Sequence, residues 1–467
     1  MEGIIKRYRS VIGPRDFYKR AMRIAIPVML QSLIQNLVSL IDNFMVAGLG
    51  DVKMSGVNIA GQMLFVSMVF TNAICMAGGI FMTQFYGADD KKGMQQTFRF
   101  KLAILGIMAV LYMLACFVFN RPILKLMVIG NSQADKILEQ GSSYMFLMGF
   151  IGIPMIISVA IASSLREIGQ VKAPLLISVC ATIVNTFFNW VFIYGNLGAP
   201  RLEVRGAAYA TIIARCVEMI IYLIYARKIK PPFLIKITEI FRVDTKLFGS
   251  ILKKGWMVVA SEMLWVISET ITTALYNGKG GADVVSGMAS SFAIANLYFV
   301  AFGGISTAAS VLIGKSLGEG KLDKARQEKT WLYSAAIIFG VIMTFVGLLT
   351  VLLVPVVFGN LSLNAQKICK EMVFGMSLFM PAWVFINTEF AISRAGGDTM
   401  MGIILDGIGT VAIVIPGTFI LALCTSVGPV AMYMLMKLVD FPKIVVAYFW
   451  LKKEKWVRNL AVENASR

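Results

Sequence analysis

Twelve apolar runs, each near the 20 residues or so that carry a helix across a bilayer, take up most of this chain. They lie at residues 27–48, 55–82, 102–119, 144–165, 175–194, 206–225, 255–276, 286–313, 331–354, 372–393, 402–423 and 429–451. A chain of 467 residues could otherwise have made two or three soluble domains. With 58% hydrophobic and only 15% charged residues, it reads instead as an all-α integral membrane protein.

Charge placement supplies the topology. About 32 Lys and Arg fall ahead of the first run, in the even-numbered loops and in the tail, against about 9 in the odd-numbered loops. That asymmetry predicts a multi-pass protein of the cell membrane with both termini cytoplasmic. The net charge of +18 therefore reports topology and attraction to anionic membrane lipid, and no nucleic-acid partner is expected. Residues 1–23 read as a cytoplasmic lead-in carrying Lys6, Arg7, Arg9, Arg15, Lys19, Arg20 and Arg23. They contain no apolar core of the kind a cleavable signal peptide needs.

The sequence contains no histidine, so any proton carrier must be Asp, Glu, Tyr or Lys, and His-based zinc or acyl-transfer chemistry is excluded. Cys75, Cys116, Cys180, Cys216, Cys369 and Cys424 sit singly in apolar runs and read as packing thiols. The Gly314-Lys315-Ser316 triplet imitates the end of a phosphate loop, but Ala309 stands where that loop needs glycine. No enzyme and no cofactor are expected.

The two halves of the chain repeat. Moving Gly50, Ser55, Gly56 and Gly87 forward by 231 positions lands on Gly281, Ser286, Gly287 and Gly318. A shift of 228 takes Arg166 and Gly169 to Arg394 and Gly397, and a shift of 222 takes Gly206, Arg215 and Glu218 to Gly428, Lys437 and Asp440. Duplication of a six-helix unit places both copies the same way up, as bundles related by a pseudo-two-fold axis along the membrane normal. The expected parts are an N-lobe at 24–226 (helices 1–6), a basic cytoplasmic linker at 227–254, a C-lobe at 255–451 (helices 7–12) and a cytoplasmic tail at 452–467.

Within the first run, Gln31, Gln35 and Asn36 precede a full carboxylate, Asp42. A carboxylate deep in hydrocarbon costs about 2.5–3.5 kcal/mol on insertion scales and marks a functional group facing a bundle interior or a wet cavity. An acid withdrawn from water can hold a proton at ambient pH. Pro27, about four turns before Asp42, removes a backbone bond and permits a bend. In the seventh run Glu262 and Glu269 lie seven apart on nearly one stripe, and the repeat sets Glu262 opposite Gln31. Glu389 and Asp406 add acid near the tenth and eleventh runs. Arg215 with Glu218, and Lys437 with Asp440, read as duplicated structural ion pairs three residues apart.

The chain resembles the multidrug and toxic compound extrusion (MATE) family of bacterial efflux transporters over nearly all its length. The resemblance rests on the proline and aspartate of the first run followed by AGLG, the inner loops GADDKKG and GEGKLDKA, the turns LREIGQVKAP and SRAGGD, the GAAYAT opening of the sixth run, and SEMLWVISET in the seventh. It implies a twelve-helix antiporter, expected to be monomeric, that exports small amphipathic and often cationic compounds against protons or sodium ions. It also implies a cation or proton site at Asp42, Asn185, Asn189 and Thr211, where a sodium ion would find hard oxygen ligands. Asn185 and Asn189 are one turn apart on one helix face. The family's sodium pattern carries a second aspartate where this chain has Asn189, so proton and sodium both stay open. Glu262, Glu269, Gln31, Gln35, Asn36 and Trp265 are candidates for substrate contact, with Trp190, Phe65 and Phe292 as possible aromatic walls. The alternative is a flippase of lipid-linked oligosaccharide or another amphiphile in the same wider superfamily; it would need a cationic cavity, whereas the acids placed here are negative.

Overall fold

The computed structural model describes residues 11–128, 133–240 and 242–465; Lys6, Arg7 and Arg9 of the basic lead-in lie outside them. The described chain is almost wholly helical: α1 Arg15–Ala47, α2 Asp51–Gly87, α3 Lys91–Phe117, α4 Asn120–Met127, α5 Ala134–Met148, α6 Gly152–Glu167, α7 Lys172–Tyr194, α8 Glu203–Ile229, α9 Thr245–Asn277, α10 Ala282–Gly318, α11 Leu322–Thr350, α12 Leu363–Ala395, α13 Ile415–Cys424, α14 Pro429–Lys437, α15 Asp440–Lys452 and α16 Leu460–Ala465. Among the described residues, eleven helices are long and apolar enough to cross a membrane, α5 and α6 counting as one through a 3-10 turn at Gly149–Ile151.

The twelfth run is not one continuous helix. It breaks into α14 and α15, with Leu438 and Val439 between them bonded back through short turns, Leu438 N–H to Leu435 at 3.2 Å and Val439 N–H to Met436 at 3.3 Å. Pro442 gives the reason. It has no N–H for the Leu438 carbonyl, and its ring crowds that carbonyl. The eleventh run also departs from a regular helix: Ile403–Ile408, containing Asp406, and Thr410–Val414 are π-helical before α13 begins. Pro416 in the first turn of α13 forbids the ordinary bond to the preceding turn, and the backbone widens ahead of it.

The helices form two compact units. One comprises Leu30–Met82 and Lys91–Ile251; the other comprises Met1–Met29, Thr83–Asp90 and Leu252–Arg467. The first is built around Ala60, Tyr112, Cys116, Leu124, Met145, Met148 and Ile151. In the second, Met288, Tyr298, Met372, Met376, Met380 and Tyr433 fill the middle. In lipid, such packing is driven by close van der Waals fit and small residues.

The repeat arithmetic reappears as packing. A Cβ on Gly56 would lie 2.8 Å from the Gly141 nitrogen in the middle of α5, and one on its counterpart Gly287 would lie 2.8 Å from the Ala365 carbonyl at the start of α12. Gly169 and Gly397 close their helices with φ of +80° and +75°, a conformation in which only glycine escapes a Cβ clash. The ends of α2 and α10 cross reciprocally. A Cβ on Gly87 would meet the Lys315 carbonyl oxygen at 2.2 Å, and one on Gly318 would meet that of Gln84 at 1.9 Å. Those four positions are two pairs related by the same 231-residue shift. The GAAYAT glycine is not duplicated in this sense: Gly206 lies against Phe192, while Gly428 has open space around its Cα.

The chain end folds back onto this crossing. Trp456 is fully buried and Leu460 nearly so. The Gln84 side chain, also fully buried, donates to the Ala395 carbonyl at 2.7 Å and accepts from the Leu460 N–H at 2.7 Å, while Asn459 donates to the Gly318 carbonyl at 3.2 Å.

Candidate functional site in the first unit

Asp42 projects from α1 at the level where α7 carries Asn185 and Asn189 and α8 carries Thr211. The Asn189 amide nitrogen donates to Asp42 Oδ1 at 2.7 Å and lies 3.2 Å from the Asn185 amide. The Asn185 amide is assigned from its surroundings, because the amide atom facing Asp42 meets acceptors there and is therefore the nitrogen. Its nitrogen stands 3.1 Å from both Asp42 oxygens, and its oxygen lies toward Thr211 Oγ1 at 3.4 Å. Thr211 spends its own proton on the Ala207 carbonyl at 3.0 Å, so its oxygen faces the cluster as an acceptor. Asn185 and Asn189 are buried, and Asp42 is half-buried.

These four side chains, which come from three helices, therefore meet in one place. They supply one carboxylate, two amide oxygens and one hydroxyl oxygen. Asn189 Oδ1 is buried without a hydrogen-bond partner, so an acceptor is left over beside the acid. Such a set fits a monovalent cation held by hard oxygens, and fits a proton on Asp42 equally well, because a protonated carboxyl would donate to an amide oxygen. Two neighbours went unnoticed in the sequence: Tyr144, beyond α5's midpoint, and Arg215 of α8 both lie within electrostatic reach of Asp42. Arg215 is also paired with Glu218 at 2.7 Å, the ion pair read from their spacing.

Toward the start of α1, Gln31 is buried and accepts from Arg166 Nη1 at 3.5 Å, and Gln35, exposed, donates to Ser178 at 3.5 Å. Asn36 is half-buried. Pro27 lies inside α1, which continues through it. Phe65 and Trp190 are exposed.

The second unit repeats the arginine and changes its partner. Arg394, counterpart of Arg166, donates to Glu262 at 3.0 Å, where the first unit has Gln31. Glu269 accepts from Lys437 at 2.9 Å, and Lys437 also stands over the Tyr433 ring at 5.2 Å. The expected Lys437–Asp440 pair is therefore not what forms. Asp440 pairs with Lys443 at 3.3 Å, which also reaches Asp406 at 3.5 Å and Thr410 at 3.2 Å. Lys437 is taken up by Glu269, and Asp440 pairs with its own i+3 neighbour. Asp440 also accepts from the Trp383 indole at 2.9 Å. Trp265 is exposed, and Phe292 packs on the core.

The comparisons agree with the fold and the repeat. The MatE family profile matches residues 27–191 and again 258–420. The chain is 24% identical to the probable multidrug resistance protein YoeA of Bacillus subtilis (strain 168) over 65% of each chain, and 24% identical to the multidrug resistance protein NorM of Vibrio cholerae over 64% of each. The matched stretch thus spans a little under two thirds of the length of these relatives. A solved structure described as "Crystal structure of MATE in the bent conformation" superposes with a TM-score of 0.82 at 17% identity, covering 97% of each chain.

Proposed function

The chain belongs to the MatE family, and from that premise we propose that it is a secondary antiporter that exports small amphipathic, often cationic organic compounds in exchange for protons or sodium ions. It acts as a monomer in the cell membrane, with both termini in the cytoplasm, and alternates access between its two repeats. The observation that carries the reading is the Asp42 cluster. A single carboxylate becomes neutral with one proton or one sodium ion, and the Asn185 amide, whose nitrogen faces the charged acid, rotates to offer its oxygen to a bound cation. Loading and emptying Asp42 then exchanges an amide N–H···O⁻ contact for an amide oxygen contact, within a helix that Pro27 allows to bend.

Gln31, Gln35 and Asn36 line the same helix and serve the organic substrate. Glu262 and Glu269 of the second repeat act through their ion pairs with Arg394 and Lys437, so a cationic substrate reaches them by displacing a resident base. Dye efflux from proteoliposomes under an imposed sodium gradient and, separately, an imposed pH gradient tests the reading and assigns the ion. Asp42→Asn is expected to abolish exchange under the effective gradient while its thermal midpoint stays near wild type. Wild-type turnover in that variant would remove Asp42 from the mechanism.

A further inference from the structure

The second unit holds an acid that the exchange site does not use. Glu389, on α12 six residues before its end, is fully buried, and neither carboxyl oxygen has a hydrogen-bond partner. Among the described residues no basic side chain pairs with it or acts on it electrostatically. A bare carboxylate in such a place costs several kcal/mol, so it is neutralised by a proton instead.

The protein itself displays the contrast. In the first unit Lys101 is likewise fully buried and Glu167 mostly so, but Lys101 donates to Glu167 at 2.5 Å and to Ser163 and Ser164 at 3.1 and 3.2 Å. There a buried acid has its base. The 228-residue shift that relates Arg394 to Arg166 relates Glu389 to Ile161, which is buried and apolar, so the fold does not require a polar group at this point.

The neighbours of Glu389 are phenols and rings. Tyr333 of α11 lies within electrostatic reach of it, and its hydroxyl is a second buried group without a partner. The Tyr333 ring packs 4.8 Å from Phe385, one turn before Glu389, and 6.2 Å from Tyr448 of α15. Among the described residues, α10, α11, α14 and α15 pack against α12. α10 carries no charged side chain between Asp283 near its start and Lys315 near its end, Lys437 of α14 is held by Glu269, and Asp440 and Lys443 of α15 pair with each other. Glu328 of α11 accepts from Ser316 with Lys329 next to it, and Arg394 on α12 itself is held by Glu262. One carboxyl and one or two phenols offer too few hard oxygens to replace the hydration of a sodium ion. They suffice for a proton, which needs one oxygen to carry it and one to receive it.

We propose that Glu389 is a second proton-binding site, in the repeat that lacks Asp42, with the Tyr333 hydroxyl, itself unpartnered, as the group that takes part in passing its proton on once a side-chain movement brings the two together. The inference deepens the exchange reading and rests on it for the use of the proton, though not for its presence.

The test is infrared spectroscopy of the purified full chain in lipid nanodiscs, scanned with pH. Wild type and Asp42→Asn are expected to show a protonated-carboxyl stretch at neutral pH that shifts in deuterated water and titrates away as pH rises. Glu389→Gln and Glu389→Ile should lack it, and the isoleucine, being the first repeat's own residue, keeps the variant foldable. Tyr333→Phe should keep the band and displace its frequency. A spectrum that is the same with and without Glu389, or a Glu389 band that never titrates, overturns the proposal. In reconstituted exchange, Glu389→Gln should move one fewer proton per substrate molecule. Absence of efflux from every variant and from wild type would sink the antiporter reading and leave the spectroscopic result standing.

Discussion

At the scale of single residues, the molecule separates acids that are held from acids that are available. Glu262 and Arg394 illustrate the first kind, 3.0 Å apart with side chains 26% and 14% exposed. Removing one member of such a pair strands the other, whereas removing both can be nearly neutral. Arg394→Gln alone is expected to destabilise by about 1–3 kcal/mol, discounted from the fully buried case because both groups retain some solvent. Arg394→Gln with Glu262→Gln should recover much of that loss, and a double-mutant cycle by thermal unfolding measures the coupling. Additive losses would show that the pair contributes nothing jointly. Asp42 is of the second kind, because amide donors stabilise its charge without neutralising it.

At the scale of helices, close backbone approach decides which substitutions are tolerated. The crossing of α2 with α10 leaves no room for a Cβ on Gly87 or Gly318, where the obstacle is the facing backbone carbonyl at 2.2 and 1.9 Å. Backbone cannot step aside as a flexible side chain can, so Gly318→Ala and Gly87→Ala should each lower stability by about 1–3 kcal/mol, the usual cost of overpacking. Gly428→Ala, in open space, should change the thermal midpoint little. The turn between α10 and α11 carries a pH-dependent contact. Lys321, 2.8 Å from Glu319, and then Lys324 hold the Glu319 carboxyl below its ordinary range. A carboxyl lowered in the folded state contributes stability that is complete above its unfolded value and disappears as pH falls through the folded one. Glu319→Gln should therefore cost at most about 1 kcal/mol at neutral pH and nothing in acid, as pH-dependent melting would show.

At the scale of the whole molecule, the tail is structural. Trp456 and Leu460 are buried, and the Gln84 side chain bonds both Ala395 and the Leu460 backbone, tying the end of the chain to the end of α2 and to α12. Truncation after Lys455 removes a fully buried indole, a change worth about 3–5 kcal/mol at core sites, and leaves Gln84 partly unsatisfied. A clear drop in the melting midpoint is expected, with a smaller drop for Gln84→Ala. An unchanged midpoint in the truncated chain would mean that the tail only rests on the surface.

How much of this was legible beforehand follows from the range over which each interaction acts. Apolar run length, basic-loop asymmetry and the 231-, 228- and 222-residue shifts are properties of the chain's order. They determined an all-helical membrane fold and its duplication, while the family was read from the resemblance of motifs such as GADDKKG and GAAYAT, and the repeat arithmetic even matched Gln31 with Glu262 before either was seen on its arginine. Asp42 was legible because a carboxylate in an apolar helix is costly wherever that helix lies; its partners on α7 and α8 were reachable through family resemblance. Only the tertiary structure decided which base each remaining acid obtained. Lys437 went to Glu269 and not to Asp440, Lys101 proved to be the base of Glu167, and Glu389 was left with none. Such pairings depend on distances between helices many turns apart in sequence, and a hydrogen-bonded ion pair needs its partners within about 4 Å, so no one-dimensional pattern encodes them.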